Sequence, residues 1–222
     1  MKCRSALVLC ALALAAPAAA QTQSTARAEK FEVDIGAAFV GSGAFGSANA
    51  SLTSPSGSLT LFSTANGLSA SVGPEAHIVF GLNRRLQAEL TGTWSRAELR
   101  STISGDFEGA EAVTSTLGIS IYTVETSVVW YPRRHRKLDP FVRGGAGWLR
   151  EVTSDGTLSA NGVIATGGAG VKYWLREDNR RTLKRFGLRA EFRVLSRSDG
   201  LSLDLAKRLI APAFGVSAIL GF

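Results

Sequence analysis

The sequence predicts an all-β protein, an eight-stranded antiparallel up-and-down transmembrane β-barrel. Three observations predict it. Hydrophobic residues make up 45% of the 222 and charged residues only 19%, yet beyond the N-terminus no apolar run reaches the about 18 residues of a spanning helix. Apolar and polar residues instead alternate with period two, the pattern of strands with two unlike faces. The chain also opens on an export leader. Lys2 and Arg4 precede an apolar stretch from Ser5 to Ala20, and Ala18-Ala19-Ala20 supplies an A-x-A cleavage site.

Residues 1–20 are therefore read as a signal peptide, 21–30 as a short periplasmic segment and 31–222 as the barrel domain. Loss of the leader lowers the formal charge from +7 to +5 and removes Cys3 and Cys10, the only cysteines. Disulfide, thiolate-zinc and cysteine-nucleophile chemistry fall with them. Cys10 is a poor lipid acceptor because bulky Leu9 precedes it.

Eight alternating segments follow, at 31–40, 69–81, 86–98, 117–131, 140–150, 161–174, 186–194 and 208–222. The first places Phe31, Val33, Ile35, Ala37 and Phe39 on one face and Glu32 and Asp34 on the other. The second sets Val72, Pro74, Ala76, Ile78 and Phe80 against Glu75 and His77. The third sets Leu86, Ala88, Leu90 and Trp94 against Gln87 and Glu89, and the fourth Tyr122, Val124, Val128 and Trp130 against Glu125. The fifth carries Val142, Ala146 and Trp148 opposite Arg143, and the sixth Val163, Val171 and Tyr173 opposite Lys172. Trp174 breaks this pattern and points to the polar side. The seventh carries Phe186, Leu188, Phe192 and Val194 opposite Arg189, Glu191 and Arg193; the eighth alternates from Ile210 to Phe222.

Most aromatics of the apolar face fall near strand ends, as a membrane girdle requires. Arg96, Glu98 and Arg150, just beyond Trp94 and Trp148 on the same face, are read as lying outside the hydrocarbon. Apolar outside and polar inside inverts a soluble barrel. In lipid, every backbone group needs a partner within the sheet, so the strands must close.

The chain ends Ile219-Leu220-Gly221-Phe222. The terminal Phe222, with Leu220, Ala218, Val216 and Phe214 alternating before it, resembles the assembly signal of bacterial outer-membrane proteins. The Gly-rich segments 140–148 and 167–173, and the charged 188–193, are similar to strands of the small eight-stranded family typified by the transmembrane domain of outer membrane protein A. The resemblance covers about 31–222. It implies a bacterial outer-membrane location, and as partners outer-membrane lipids, periplasmic chaperones and the assembly machinery. A monomer is expected, without a peptidoglycan-binding domain.

With both termini periplasmic, 82–85, 132–139 and 175–185 are short turns, while 41–68, 99–116, 151–160 and 195–207 are outer loops. The turns are rich in Arg and Lys, which suits anionic headgroups of the inner leaflet; nucleic acid is not expected. Nothing from Ile35 to Pro74 is charged. Ser54-Pro55-Ser56-Gly57 is turn chemistry within that run, so the first loop is either flexible or a hairpin extending the barrel.

Chemical motifs are scarce. Gly41-Ser42-Gly43-Ala44-Phe45-Gly46 fits G-x-G-x-x-G, but Ser, Thr, Gly and Pro55 follow where a helix is needed. His77 with Glu75 and Glu125 is the one conceivable metal set, and a hydrogen-bonded interior histidine is the expectation. No metal, cofactor or catalytic residue is assigned, and no enzyme is expected. The informative constellation is the interior charge. The first four segments contribute Glu32, Asp34, Glu75, Glu89 and Glu125; the last four contribute Arg143, Lys172, Arg189 and Arg193 with Glu191. An acidic wall facing a basic wall should pair into a closed network, since an unpaired charge out of water is costly. The expected function is a structural or surface-interaction role through the outer loops; the alternative is a narrow porin or channel for small solutes or ions.

Overall fold

The computed structural model describes residues 31–55, 57–134, 137–177, 183–200 and 208–222. The leader and the 21–30 segment lie outside the described residues. Among the described residues there are ten strands: β1 Phe31–Val40, β2 Gly43–Ser54, β3 Gly57–Leu68, β4 Ser71–Gly81, β5 Leu86–Ser104, β6 Val113–Trp130, β7 Leu138–Thr153, β8 Ser159–Glu177, β9 Arg185–Asp199 and β10 Leu209–Gly221. All pair antiparallel. The order β5-β4-β1-β10-β9-β8-β7-β6 returns to β5 through the β5–β6 pairing, so eight strands close a barrel. The remaining two, β2 and β3, form a hairpin that prolongs β1 and β4 beyond the rim. The first loop is thus the hairpin, turning at Pro55, and β3 is held to the barrel by pairing Ser63–Leu68 with Leu99–Ser104.

Every barrel strand shows the facing read from alternation. Glu32 and Asp34 are buried while Ile35 and Phe39 are exposed; Val72, Ile78 and Phe80 are exposed while Glu75 and His77 are buried. The outward aromatics gather at two levels. Phe31 packs on Phe80 and Phe222 at the end holding the termini. Phe214 packs on Phe39 and Phe192 at the other end, where Trp94 pairs with Tyr122.

Four strands run further than alternation alone indicates, so the outer loops 99–116 and 151–160 are shorter than expected. β5 continues to Ser104 and β6 starts at Val113; β7 reaches Thr153 and β8 begins at Ser159. Toward these outer ends of the strands the polarity inverts. Leu68, Ala97, Leu99, Ile119, Ile121, Leu149, Ile164 and Leu209 turn inward and pack into an apolar core, while Arg96, Glu98 and Arg100 point outward. Above the membrane the barrel is built like a soluble one, because water replaces lipid outside. β9 likewise runs past the expected end at 194 to Asp199.

The short turns have local causes. The Asn83 side chain accepts hydrogen bonds from the Arg85 and Leu86 N–H groups at 2.8 and 2.9 Å, an Asx turn closing β4 to β5. Between β7 and β8, Gly156 adopts φ 70°, which L-residues with side chains avoid. There Asp155 accepts from the Thr153 and Thr157 hydroxyls at 2.6 and 2.9 Å, and these bonds hold its carboxyl below the usual aspartate range.

Inward glycines set how closely strands approach. A Cβ on Gly147 would overlap the Val124 and Glu125 backbone, whereas one on outward Gly92 would meet nothing within 4 Å. Gly147→Val should therefore destabilise the folded barrel by about 1–3 kcal/mol, read as a lower urea midpoint or loss of the heat-dependent gel shift. Gly92→Val should leave both unchanged.

Candidate functional site

The lumen between the two aromatic levels is filled by charge. All ten residues of the two walls are buried: Glu32, Asp34, Glu75, Glu89, Glu125, Arg143, Lys172, Arg189, Glu191 and Arg193 are each at most 5% exposed. The strands deliver them by parity, since successive inward positions on one strand lie two residues apart. The barrel curvature then turns the β1, β4, β5 and β6 carboxylates toward the β7, β8 and β9 cations.

Arg189 occupies the centre. Its Nη1 lies 2.6 Å from Glu89 Oε2 and 3.1 Å from Asp34 Oδ2, and its Nη2 donates to Glu191. β9 and β5 are four strands apart around a barrel of eight, so the Arg189–Glu89 pair spans the full lumen. Arg143 binds Glu89 at 2.7 Å, Glu125 at 2.6 Å and Glu191 at 3.1 Å. Arg193 pairs with Glu75, and its Nε lies 3.0 Å from Glu191. Toward the end with the termini, Lys172 pairs with Glu32. Glu32 also accepts from Gln87 at 2.8 Å, and Gln87 accepts from the Tyr131 hydroxyl at 2.6 Å.

Six carboxylates meet four permanent cations in this set, and neutral donors meet part of the excess. Thr166 donates to Glu125, Thr93 to Glu75 and Thr91 to Glu89. His77 is 1% exposed and bridges two acids, with Nε2 at 3.0 Å from Glu75 and Nδ1 at 3.2 Å from Glu89.

Room for these long side chains comes from inward glycines of the basic half. Gly215 faces Glu75 and Glu191, Gly145 faces Glu125, and Gly168 faces Arg193. In 140–148 and 167–173, then, the inward glycines leave space for charge, while Gly144 and Gly167 face outward.

The stack is capped below by rings. Trp174, expected to point inward, is buried and donates its Nε1–H to Asp139 at 2.9 Å. Arg185 stacks on Trp174 at 4.1 Å, Arg134 on Tyr131 at 4.0 Å and Arg189 on Phe141 at 4.8 Å, within cation–π range. Above it lies the apolar core of the extensions, and there Arg197 reaches Glu151 at 2.5 Å. That pair and the Gln87–Tyr131 link were not among the predicted site residues. For Glu151 and Arg197 the signal was inward parity continued past the expected strand ends; Gln87 and Tyr131 lie at inward positions within the expected strands.

Glu75, His77 and Glu191 bring ligand atoms within 4.8 Å of one another, a metal-like grouping; Glu125 is not in it. Its carboxylates are already engaged by Arg193, Arg189 and Arg143, and a dication there would sit among three guanidinium groups. The donor set does not fit a metal. The G-x-G-x-x-G segment passes from the end of β1 into β2, with no helix after it.

The outer membrane protein beta-barrel domain family matches residues 6–207. The chain belongs to that family. It is a protein of the bacterial outer membrane. The C-terminal strand, with its terminal Phe222, lies beyond the matched segment. Among solved structures, Neisserial surface protein A is 12% identical over 86% of this chain and 97% of its own, with a TM-score of 0.52. The attachment invasion locus protein Ail of Yersinia pestis is 13% identical over 87% of this chain and 99% of its own, with a TM-score of 0.41. No curated protein sequence matches significantly.

Removing one partner of a buried pair leaves the other desolvated. Lys172→Met should cost about 3–5 kcal/mol in urea unfolding from lipid vesicles, because Glu32 loses its paired ammonium and keeps the neutral Gln87 donor. Arg100→Met breaks a pair whose side chains are 59% and 53% exposed, and should change stability by less than about 1 kcal/mol.

Proposed function

We propose that this chain is a sealed barrel with a structural or surface-interaction role, working through its outer hairpins and outer wall rather than through its lumen. One observation carries the reading: from Glu32 to Glu191 the inward polar side chains are bonded to one another across the barrel, and an apolar layer packs above them. A barrel of eight strands has an interior that side chains just fill. A solute would have to part the ion pairs and then cross Leu68, Leu99, Ile119 and Leu149.

The exterior supports the same reading. β2 and β3 project an uncharged hairpin past the rim, with Leu52 and Leu59 paired and exposed at its tip. No histidine, serine or carboxylate lies among the lipid-facing positions named from the sequence, so an enzyme acting on membrane lipid finds no catalytic set there. The partners proposed are outer-membrane lipids around the wall and, during biogenesis, periplasmic chaperones and assembly machinery reading Phe214, Val216, Ala218, Leu220 and Phe222. The barrel works as a monomer.

Planar-bilayer recording of the refolded protein tests this against the channel alternative. The expected result is no stepwise conductance, for the wild type as for a protein-free bilayer. Ohmic openings whose size changes in Arg143→Ala would assign a conducting path through the lumen.

A further inference from the structure

On the outer wall, above Trp94 and Tyr122, a groove of about 700 Å³ runs across the extensions of β5 and β6. We propose that it binds the phosphorylated headgroup of an outer-leaflet glycolipid. This rests on the orientation that puts the long hairpins outside the cell, as short periplasmic turns and longer outer loops require.

Three features give the ligand its chemistry. Arg96 and Arg100 stand on the outward face at the groove, and guanidinium groups recognise phosphate through paired hydrogen bonds. Arg96 lies over the Trp94 ring at 5.2 Å, so its position is tied to the girdle. Arg100 is steadied by Glu98 at 3.0 Å, which leaves further N–H donors on the same guanidinium. Ser69, Ser120 and Ser154 add hydroxyls along the groove, suited to sugar. Ser69 Oγ already accepts from the Glu98 N–H at 2.8 Å and keeps its own proton to donate.

Gly118 lies in the groove beside Ser154, where even a Cβ would come within 3.3 Å of the Ser154 hydroxyl. Toward the membrane, Val72, Tyr122 and Val124 are exposed on the same wall, an apolar track for acyl chains. Phosphate and sugar groups at one level, with acyl chains below them, describe one molecule. A free phosphate would use only the arginines and a zwitterionic phospholipid neither arginines nor serines fully. Among the described residues the lipid-facing wall below has no cation, so the site sits at headgroup depth.

The test uses the full chain folded in nanodiscs that contain lipid A, dephosphorylated lipid A or phosphatidylglycerol. Glycolipid retained after detergent extraction is counted by mass spectrometry. Wild type should retain lipid A and not its dephosphorylated form. Arg96→Ser with Arg100→Ser should lower retention about tenfold, as expected for lost charge-assisted hydrogen bonds. Gly118→Val, which fills the groove without changing charge, should lower it as well. Arg84→Ser with Arg85→Ser, at the opposite end, should have no effect. An unchanged heat-dependent gel shift keeps each variant interpretable as a folded barrel.

Equal retention by the Arg96/Arg100 variant overturns the proposal, as does equal retention of the dephosphorylated lipid. Displacement of lipid A by millimolar inorganic phosphate would assign the arginines to a free anion instead. Equal retention of phosphatidylglycerol, lost in the Arg84/Arg85 variant rather than in the Arg96/Arg100 variant, would show that the orientation itself is wrong.

Discussion

A carboxylate or guanidinium taken out of water costs several kcal/mol unless an opposite charge and further hydrogen bonds meet it. The two walls bring together six carboxylates, three guanidinium groups and the Lys172 ammonium, and Arg189 is the hub that answers three of the carboxylates at once. Its reach from β9 to Glu89 on β5 couples opposite walls. The glycines at 145, 168 and 215 follow from that need, because side chains there would occupy the space the charges use. Burial of so many ions contributes little net stability of itself; the gain is in definition, since a register slip would turn the charges into lipid.

The medium outside the wall decides the pattern along each strand. Within the bilayer, lipid takes the apolar face and the charges turn inward. Beyond Trp94, water takes that place, and Arg96, Glu98 and Arg100 turn outward while Ala97 and Leu99 turn in. One strand therefore carries two opposite codes without a break in its hydrogen bonding to β6, which runs from Leu86↔Trp130 to Ile103↔Val113. The ionic stack and the apolar core are two consecutive seals with different physics. One resists water through desolvation cost, the other mainly through close apolar packing.

Much of this was legible in the sequence. The facing of all eight barrel strands follows from alternation, because lipid and charge are the strongest contrast a strand can display. The composition of the two walls was legible for the same reason. What alternation hid was the strand length: where polarity inverts near residue 96, the pattern loses its sign and 99–116 reads as a loop. It also left β2 and β3 undecided, since Ser, Thr, Ala and Gly offer little contrast between faces; only the Pro55 turn signalled the hairpin. Individual partners, such as Arg189 with Glu89 rather than with Glu125, depend on the stagger between strands distant in sequence, which no local pattern encodes.

The central claim is that the acidic and basic walls are energetically coupled across the lumen. A double-mutant cycle on Arg189→Met and Glu89→Gln, read by reversible unfolding from lipid vesicles, measures that coupling most directly. The account predicts a coupling energy above about 1 kcal/mol, with the double variant more stable than the two single losses summed. Additive losses, with no coupling, would mean that the walls do not hold one another and would contradict it.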